Sequence, residues 1–231
     1  MARPRLYDRD DLLRHAVALF WARGFASVSI DEIVQATGVS RSSLYASFPD
    51  KTALLVAAIE HYLATVTSAN LERLRQGDNA AVAIRRFLLQ LANQRPERGA
   101  RAHGCLLTNT AAELGSEPEA VASLVSKAFR RIERALALRL QEAKRQGDLA
   151  EAVNANRFAR QLVALIQGLR VMTRLGVGNQ VLRDAVQSAL APLGAGKQTK
   201  RKRSKHGQSS ASNQGAGPVR RHAVRQQLGA G

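Results

Sequence analysis

The sequence predicts an all-α fold of about nine helices, the first three forming an N-terminal helix-turn-helix unit and the rest a larger helical domain. Three observations predict it. All six prolines, Pro4, Pro49, Pro96, Pro118, Pro192 and Pro218, lie between the long apolar-periodic segments, inside which a proline would cost about 3 kcal/mol. Apolar residues recur at i, i+3, i+4 and i+7, with no competing strand alternation. Pairs with cap-x-x-acid spacing, which satisfy the free amides of a helix N-terminus, stand where segments begin.

Asp8 with Asp11 opens a helix over 8–23, whose inner stripe is Leu13, Ala16, Val17 and Phe20. Ser29 with Glu32 opens a second over 29–36, and Ser40 caps a third over 40–47. Asp50 and Asp78 are N-cap residues for helices over 50–75 and 79–94, and a shorter helix covers 104–114. Ser116 with Glu119 opens 117–146, striped by Val121, Val125, Ala128, Ile132 and Ala135. Phe158, Leu162, Leu165, Leu169 and Met172 define 154–175, and Val181, Leu182, Val186 and Leu190 define 179–191. Beyond Gly194 the composition turns to Gly, Ser, Gln, Lys and Arg. Such a segment buries too little apolar surface to offset its chain entropy, so it is expected to be disordered. The expected organisation is 1–52 for the helix-turn-helix domain, 53–193 for a larger helical domain, and 194–231 for a basic tail.

The net charge of +17 predicts a polyanionic partner. Residues 194–231 hold nine Lys/Arg against no Asp/Glu, more than half of that excess, whereas residues 1–52 are nearly balanced with seven against six. Charge alone therefore indicates a nucleic acid or anionic surface, and specific recognition must come from local motifs. A single cysteine, Cys105, excludes an intrachain disulfide. With no apolar leader and no uninterrupted apolar run of about 18 residues, the expectation is a cytoplasmic protein outside the membrane. No Gly-rich phosphate loop, metal-ligand cluster or Ser/His/Asp spacing occurs, and Cys105 and His103, two apart, would point to different sides of a helix. Neither an enzyme nor a cofactor or metal site is expected.

From Ser29 to Phe48 the chain has the form of a helix-turn-helix. Gly38 supplies the turn, Ile30, Ile33, Val34, Val39 and Leu44 the small core, and Ser40 the cap of the second helix. With its core face used, that helix offers Arg41, Ser42, Ser43, Tyr45 and Ser47 to a major groove of double-stranded DNA. These residues, with Phe20-x-x-x-Gly24-Phe25, Ser27 to Ile33, Gly38-Val39-Ser40 and Leu44-Tyr45-x-x-Phe48-x-x-Lys51, resemble the TetR family of bacterial repressors over roughly residues 8–192.

The resemblance implies a homodimer that binds a palindromic operator and is released by a small-molecule effector. It implies phosphate contacts for Tyr45 and Lys51, and for Ser29 at a helix N-terminus, with Arg41, Ser42 and Ser47 facing bases. An arginine in that place can donate twice to a guanine edge. The plainer reading makes Ser40 only a cap and packs Tyr45 on the first helix. Arg3 and Arg5 would reach a minor groove or simply fray.

The apolar stripes of the last two helices, with Gly168 between Leu165 and Leu169, would form a dimer interface by the same resemblance, although internal core packing gives identical stripes. Arg101 to Leu114 resembles a Gly-Cys...Asn...Glu pattern of one subgroup, some members of which respond to electrophiles or oxidants through the cysteine. Cys105, Asn109 and Glu113 are four apart, hence on one stripe. Cys105 falls in a first helical turn, where the helix dipole and Arg98, Arg101 and His103 would favour its thiolate. The alternative is a small buried residue filling space, and Asn109 and Glu113 either line a pocket or bond neighbouring helices. In the tail, Lys197 to Lys205 and Arg220-Arg221 lack aromatic partners, which fits sequence-independent phosphate contact or a merely solvated segment. A nonspecific or architectural DNA-binding protein using that tail is the rival function.

Overall fold

The computed structural model describes residues 7–93 and 103–194, among which there are nine α-helices and no strand. They are α1 Arg9–Arg23, α2 Ile30–Thr37, α3 Arg41–Ser47, α4 Lys51–Arg75, α5 Ala80–Ala92, α6 Leu106–Leu114, α7 Glu119–Arg145, α8 Ala155–Arg174 and α9 Asn179–Ala189. Helix α4 runs through one π-helical turn, Leu63–Thr67, and continues as α-helix from Ser68. The expected tail, Arg3, Arg5, Arg98 and Arg101 lie outside the described residues.

Local chemistry starts most helices where the sequence places them. The Asp8, Ser40 and Asp50 side chains accept from amides of the first turns of α1, α3 and α4. Ser29 and Glu32 form a reciprocal capping box on α2. Two expected caps move. Asn79, not Asp78, caps α5 by accepting from the Val82 amide at 2.8 Å. The N-cap of α7 is Pro118 rather than Ser116: its φ of −69° suits the position, and its carbonyl accepts from Val121 and Ala122.

Two apolar cores result. One joins the stripes of α5, the second half of α7, α8 and α9 with Leu71 and Leu74 of α4. The other gathers the predicted stripe of α1, Ile33, Val39, Leu44 and Phe48 around the first half of α4 and includes Leu106, Leu107, Val121, Val125 and Ala128 from α6 and α7. The helix-turn-helix is thus packed onto the larger helical region through shared side chains. Helix α4 enters both cores. It is the one described helix long and apolar enough to cross a membrane, but Leu54, Leu55, Ala58, Ile59, Leu71 and Leu74 are buried inside the protein. Its apolarity serves internal packing.

The stripes of α8 and α9 also turn inward. Leu162, Ile166, Leu169, Leu182, Val186 and Leu190 are buried within the chain, whereas Leu165 is half-buried and Val181 exposed. The face left open on α8 is Ala164, Gly168, Val171 and Leu175, spaced four, three and four along the helix and just past its end. Val171 is 47% exposed and Leu175 76%, beside Val181 of α9 at 52%, and no atom lies within 4 Å of where a Gly168 Cβ would stand.

Candidate DNA-recognition surface and sensing cavity

Gly38 ends α2 with φ +67°, a left-handed conformation that glycine adopts without a Cβ penalty, and the buried Leu44 seats α3 in the core beside α2. This leaves Arg41, Ser42 and Tyr45 on one exposed face of α3, with Tyr45 43% exposed rather than packed away on α1. The Arg41 guanidinium is ion-paired with Asp31 of α2, whose hydrogen bond and charge raise its pKa. An exposed pair of this kind is worth little and exchanges readily for another anion.

The other expected contacts are placed differently. Ser43 is half-buried and its hydroxyl accepts from Ser40 Oγ at 2.8 Å as part of the α3 cap. Ser47 is half-buried against Tyr7, hydroxyl to hydroxyl at 2.5 Å. Neither joins the exposed face. Ser29 is committed to Glu32: its amide and hydroxyl donate to the carboxylate at 2.8 and 3.0 Å, and its Oγ accepts from the Glu32 amide at 3.2 Å. Arg23 also pairs with Glu32. The Ser29 amide contributes most and Arg23 next to holding the Glu32 carboxyl down to about 2. The Ser29 amide is thus already taken by a protein carboxylate and the Glu32 amide by the Ser29 hydroxyl. Lys51 lies with Nζ 4.4 Å above the Phe25 ring, a cation–π contact at the start of α4.

Residues of α4 to α8 line a partly open cavity of about 40 Å³. Leu71, Phe87, Leu91, Leu107, Phe129, Ile132 and Ile166 make it largely apolar, and Tyr62, Thr67, Asn70, Cys105, Gln167 and Arg170 contribute polar groups. The π-turn brings Thr67 to this wall, and such turns recur at functional sites. Cys105 is half-buried and occupies the N-cap of α6, one residue before the helix, without capping it. The Tyr62 hydroxyl donates to its Sγ at 3.8 Å. Burial, ahead of Cys105, drives the Tyr62 pKa far up, so the phenol keeps its proton and remains a donor.

Of the stripe Cys105, Asn109 and Glu113, only Cys105 faces the cavity. Asn109 Nδ2 donates to the carbonyls of His103 at 2.8 Å and Trp21 at 3.5 Å. Glu113 accepts from two successive amides, Phe25 at 2.8 Å and Ala26 at 2.7 Å, in the turn between α1 and α2. Sequence inspection missed Tyr62, Thr67, Gln167 and Arg170. Arg170 carried a usable signal, a charged residue four after Ile166 on the buried stripe of α8. Among the described residues no cluster of three His, Cys, Asp or Glu is placed to hold a metal.

A seven-residue helix that offers a polar and aromatic face after a glycine turn is the geometry of a DNA-binding helix-turn-helix. Residues 12–58 match the family described as bacterial regulatory proteins, tetR family, and residues 80–189 match the tetracyclin repressor-like C-terminal domain, together more than half of the chain. The chain belongs to the TetR family and is a sequence-specific DNA-binding transcriptional regulator. It is 25% identical over 189 residues to the HTH-type transcriptional repressor ComR of Escherichia coli K12, covering 81% of this chain and 90% of that protein. It is 26% identical over 179 residues to the repressor NemR of the same strain, covering 77% and 89%. Among solved structures, a cysteine mutant of the TetR family regulator CifR, complexed with 26-bp double-strand operator DNA, is similar with 28% identity and a TM-score of 0.71, covering 81% of this chain and 98% of that one.

Proposed function

We propose that this regulator is a homodimeric, cytoplasmic repressor that leaves a palindromic operator when a small molecule fills the cavity or when Cys105 is modified by an electrophile or oxidant. Residues 1–52 bind DNA, residues 53–193 sense and dimerise, and residues 194–231 add sequence-independent phosphate contacts. The observation that carries this reading is the exposed α3 face of Arg41, Ser42 and Tyr45. Arg41 exchanges Asp31 for a guanine edge, Ser42 faces bases and Tyr45 a phosphate. Lys51 reaches a phosphate by leaving the Phe25 ring. Ser29, Ser43 and Ser47 contribute mainly by fixing α2 and α3, since their hydroxyls already have protein partners.

The open α8 face supports dimerisation, which places two recognition helices on half-sites about one helical turn apart. That CifR binds operator DNA, and that ComR and NemR are named repressors, supports the direction of regulation. The half-buried Cys105 at the cavity wall supports the Gly-Cys...Asn...Glu subgroup and its thiol chemistry.

Selection of bound duplexes from a random pool tests the reading, with a palindrome as the expected result. Arg41→Ala then loses discrimination at one position of each half-site, about 1–3 kcal/mol. An equal weakening on all sequences would remove its base-reading role, and no preference over bulk genomic fragments would remove the operator.

A further inference from the structure

We infer that Glu113 is the positioning residue through which a change in the cavity reaches the DNA-binding unit: α6 acts as a short lever, and the Glu113 carboxylate clamps the turn that orients α2 and α3. The inference rests on the effector reading above and adds to it a route separate from the continuity of α4 with the recognition unit.

The two ends of α6 have different surroundings. At its start Cys105 borders the cavity; at its end Glu113 holds the Phe25 and Ala26 amides, one on each carboxylate oxygen. The eight steps between them span about 12 Å of helix. Asn109, midway on the same stripe, ties α6 to residues 21 and 103 through its Nδ2. The entry to α6 is pressed on α8, because a Cβ on Gly104 would stand 2.9 Å from the Arg170 carbonyl oxygen. Close packing there gives the helix a fulcrum beside the cavity.

The far end fits as tightly. Gly24 has φ +86° and ψ 171°, and a Cβ there would lie 2.7 Å from Glu113 Oε2. Two charge-assisted bonds from adjacent amides fix both position and orientation of the turn. The α2 helix starts only four residues after Ala26, so a displacement of Glu113 is delivered to α2 and α3 within one short turn. A cavity of about 40 Å³ has room for only about three water-sized probes, and a group added to the Cys105 sulfur grows from the residue that starts α6.

N-Ethylmaleimide tests this, adding its ring to the only thiol of the chain as Cys105 sulfur bonds an alkene carbon and a proton goes to the other. In the wild-type protein, alkylation is expected to speed hydrogen exchange at the Phe25 and Ala26 amides about tenfold and to lower operator affinity about tenfold. In Glu113→Ala both amides exchange fast before alkylation, and the affinity response shrinks to less than about twofold. Glu113→Gln retains one acceptor oxygen and is expected to respond in between, which also covers the case in which the alanine variant fails to fold. An undiminished response in these variants would assign the signal to α4 and overturn the inference, as would unaltered Phe25 and Ala26 exchange in the alkylated wild type. The exchange arm needs no DNA, so a wild-type protein that selects no operator sinks the regulator reading separately.

Discussion

Three donors converge on the Glu32 carboxylate, the Ser29 amide, the Ser29 hydroxyl and the Arg23 guanidinium, and its pKa is held down to about 2. A carboxyl depressed in the folded state stabilises it above the ordinary carboxylate range, and the contribution disappears as pH falls through that range toward 2. Wild-type protein should therefore lose melting temperature between about pH 5 and pH 2 more steeply than Glu32→Gln, measured at constant ionic strength; parallel slopes would show that the ionised form adds nothing. The Ser29–Glu32 pair was legible in the sequence because a capping box is local, its two members three positions apart. Ser47 and Glu113 were not, because their partners stand 40 and 88 residues away. Pattern reading limits what an exposed-looking polar residue can face, but only tertiary packing says what it meets.

At the scale of elements, all nine helices were legible, since apolar periodicity and proline positions constrain long segments strongly. Two starts shifted: Asn79 took the cap from the adjacent Asp78, and the backbone of Pro118 began α7 without any side-chain cap. The π-turn of α4 left no signature: both flanks of Leu63–Thr67 keep helical spacing, and the extra residue only rotates Thr67 toward the cavity. The shortest element is the one that matters most for DNA. With seven residues, α3 depends on its Ser40 cap, which also organises Ser43. Ser40→Ala should cost about 1 kcal/mol, and melting curves together with operator titration should show both a less stable protein and an affinity reduced about fivefold. A fully preserved affinity would mean that DNA itself orders the helix.

Across the whole molecule, the same stripes that announced helices left their partners open. An apolar face reads alike whether it meets its own chain or a second copy, and α8 and α9 spend theirs on the core. Apolar side chains left exposed include Val171 and Leu175 at the end of α8 and Val181 of α9, with Val82 and Leu138 elsewhere. Because these side chains are exposed within the chain, replacing them should leave the fold intact. A Val171→Glu, Leu175→Glu double variant should sediment as a monomer and bind the operator about 100-fold more weakly, having lost the linkage between half-sites. A dimer of unchanged mass would place the interface elsewhere.

The glycine at the end of α1 carries an evolutionary asymmetry. Its dihedral pair belongs to a region almost reserved for glycine, and its missing side chain also makes room for Glu113. Any substitution at position 24 therefore meets two independent obstacles, of which losing the carboxylate lifts only one. Mutational histories through this pair run in one direction: position 113 can drift while Gly24 stays, but the opposite order is closed, and a library randomised at both sites should return glycine at the first whatever occupies the second.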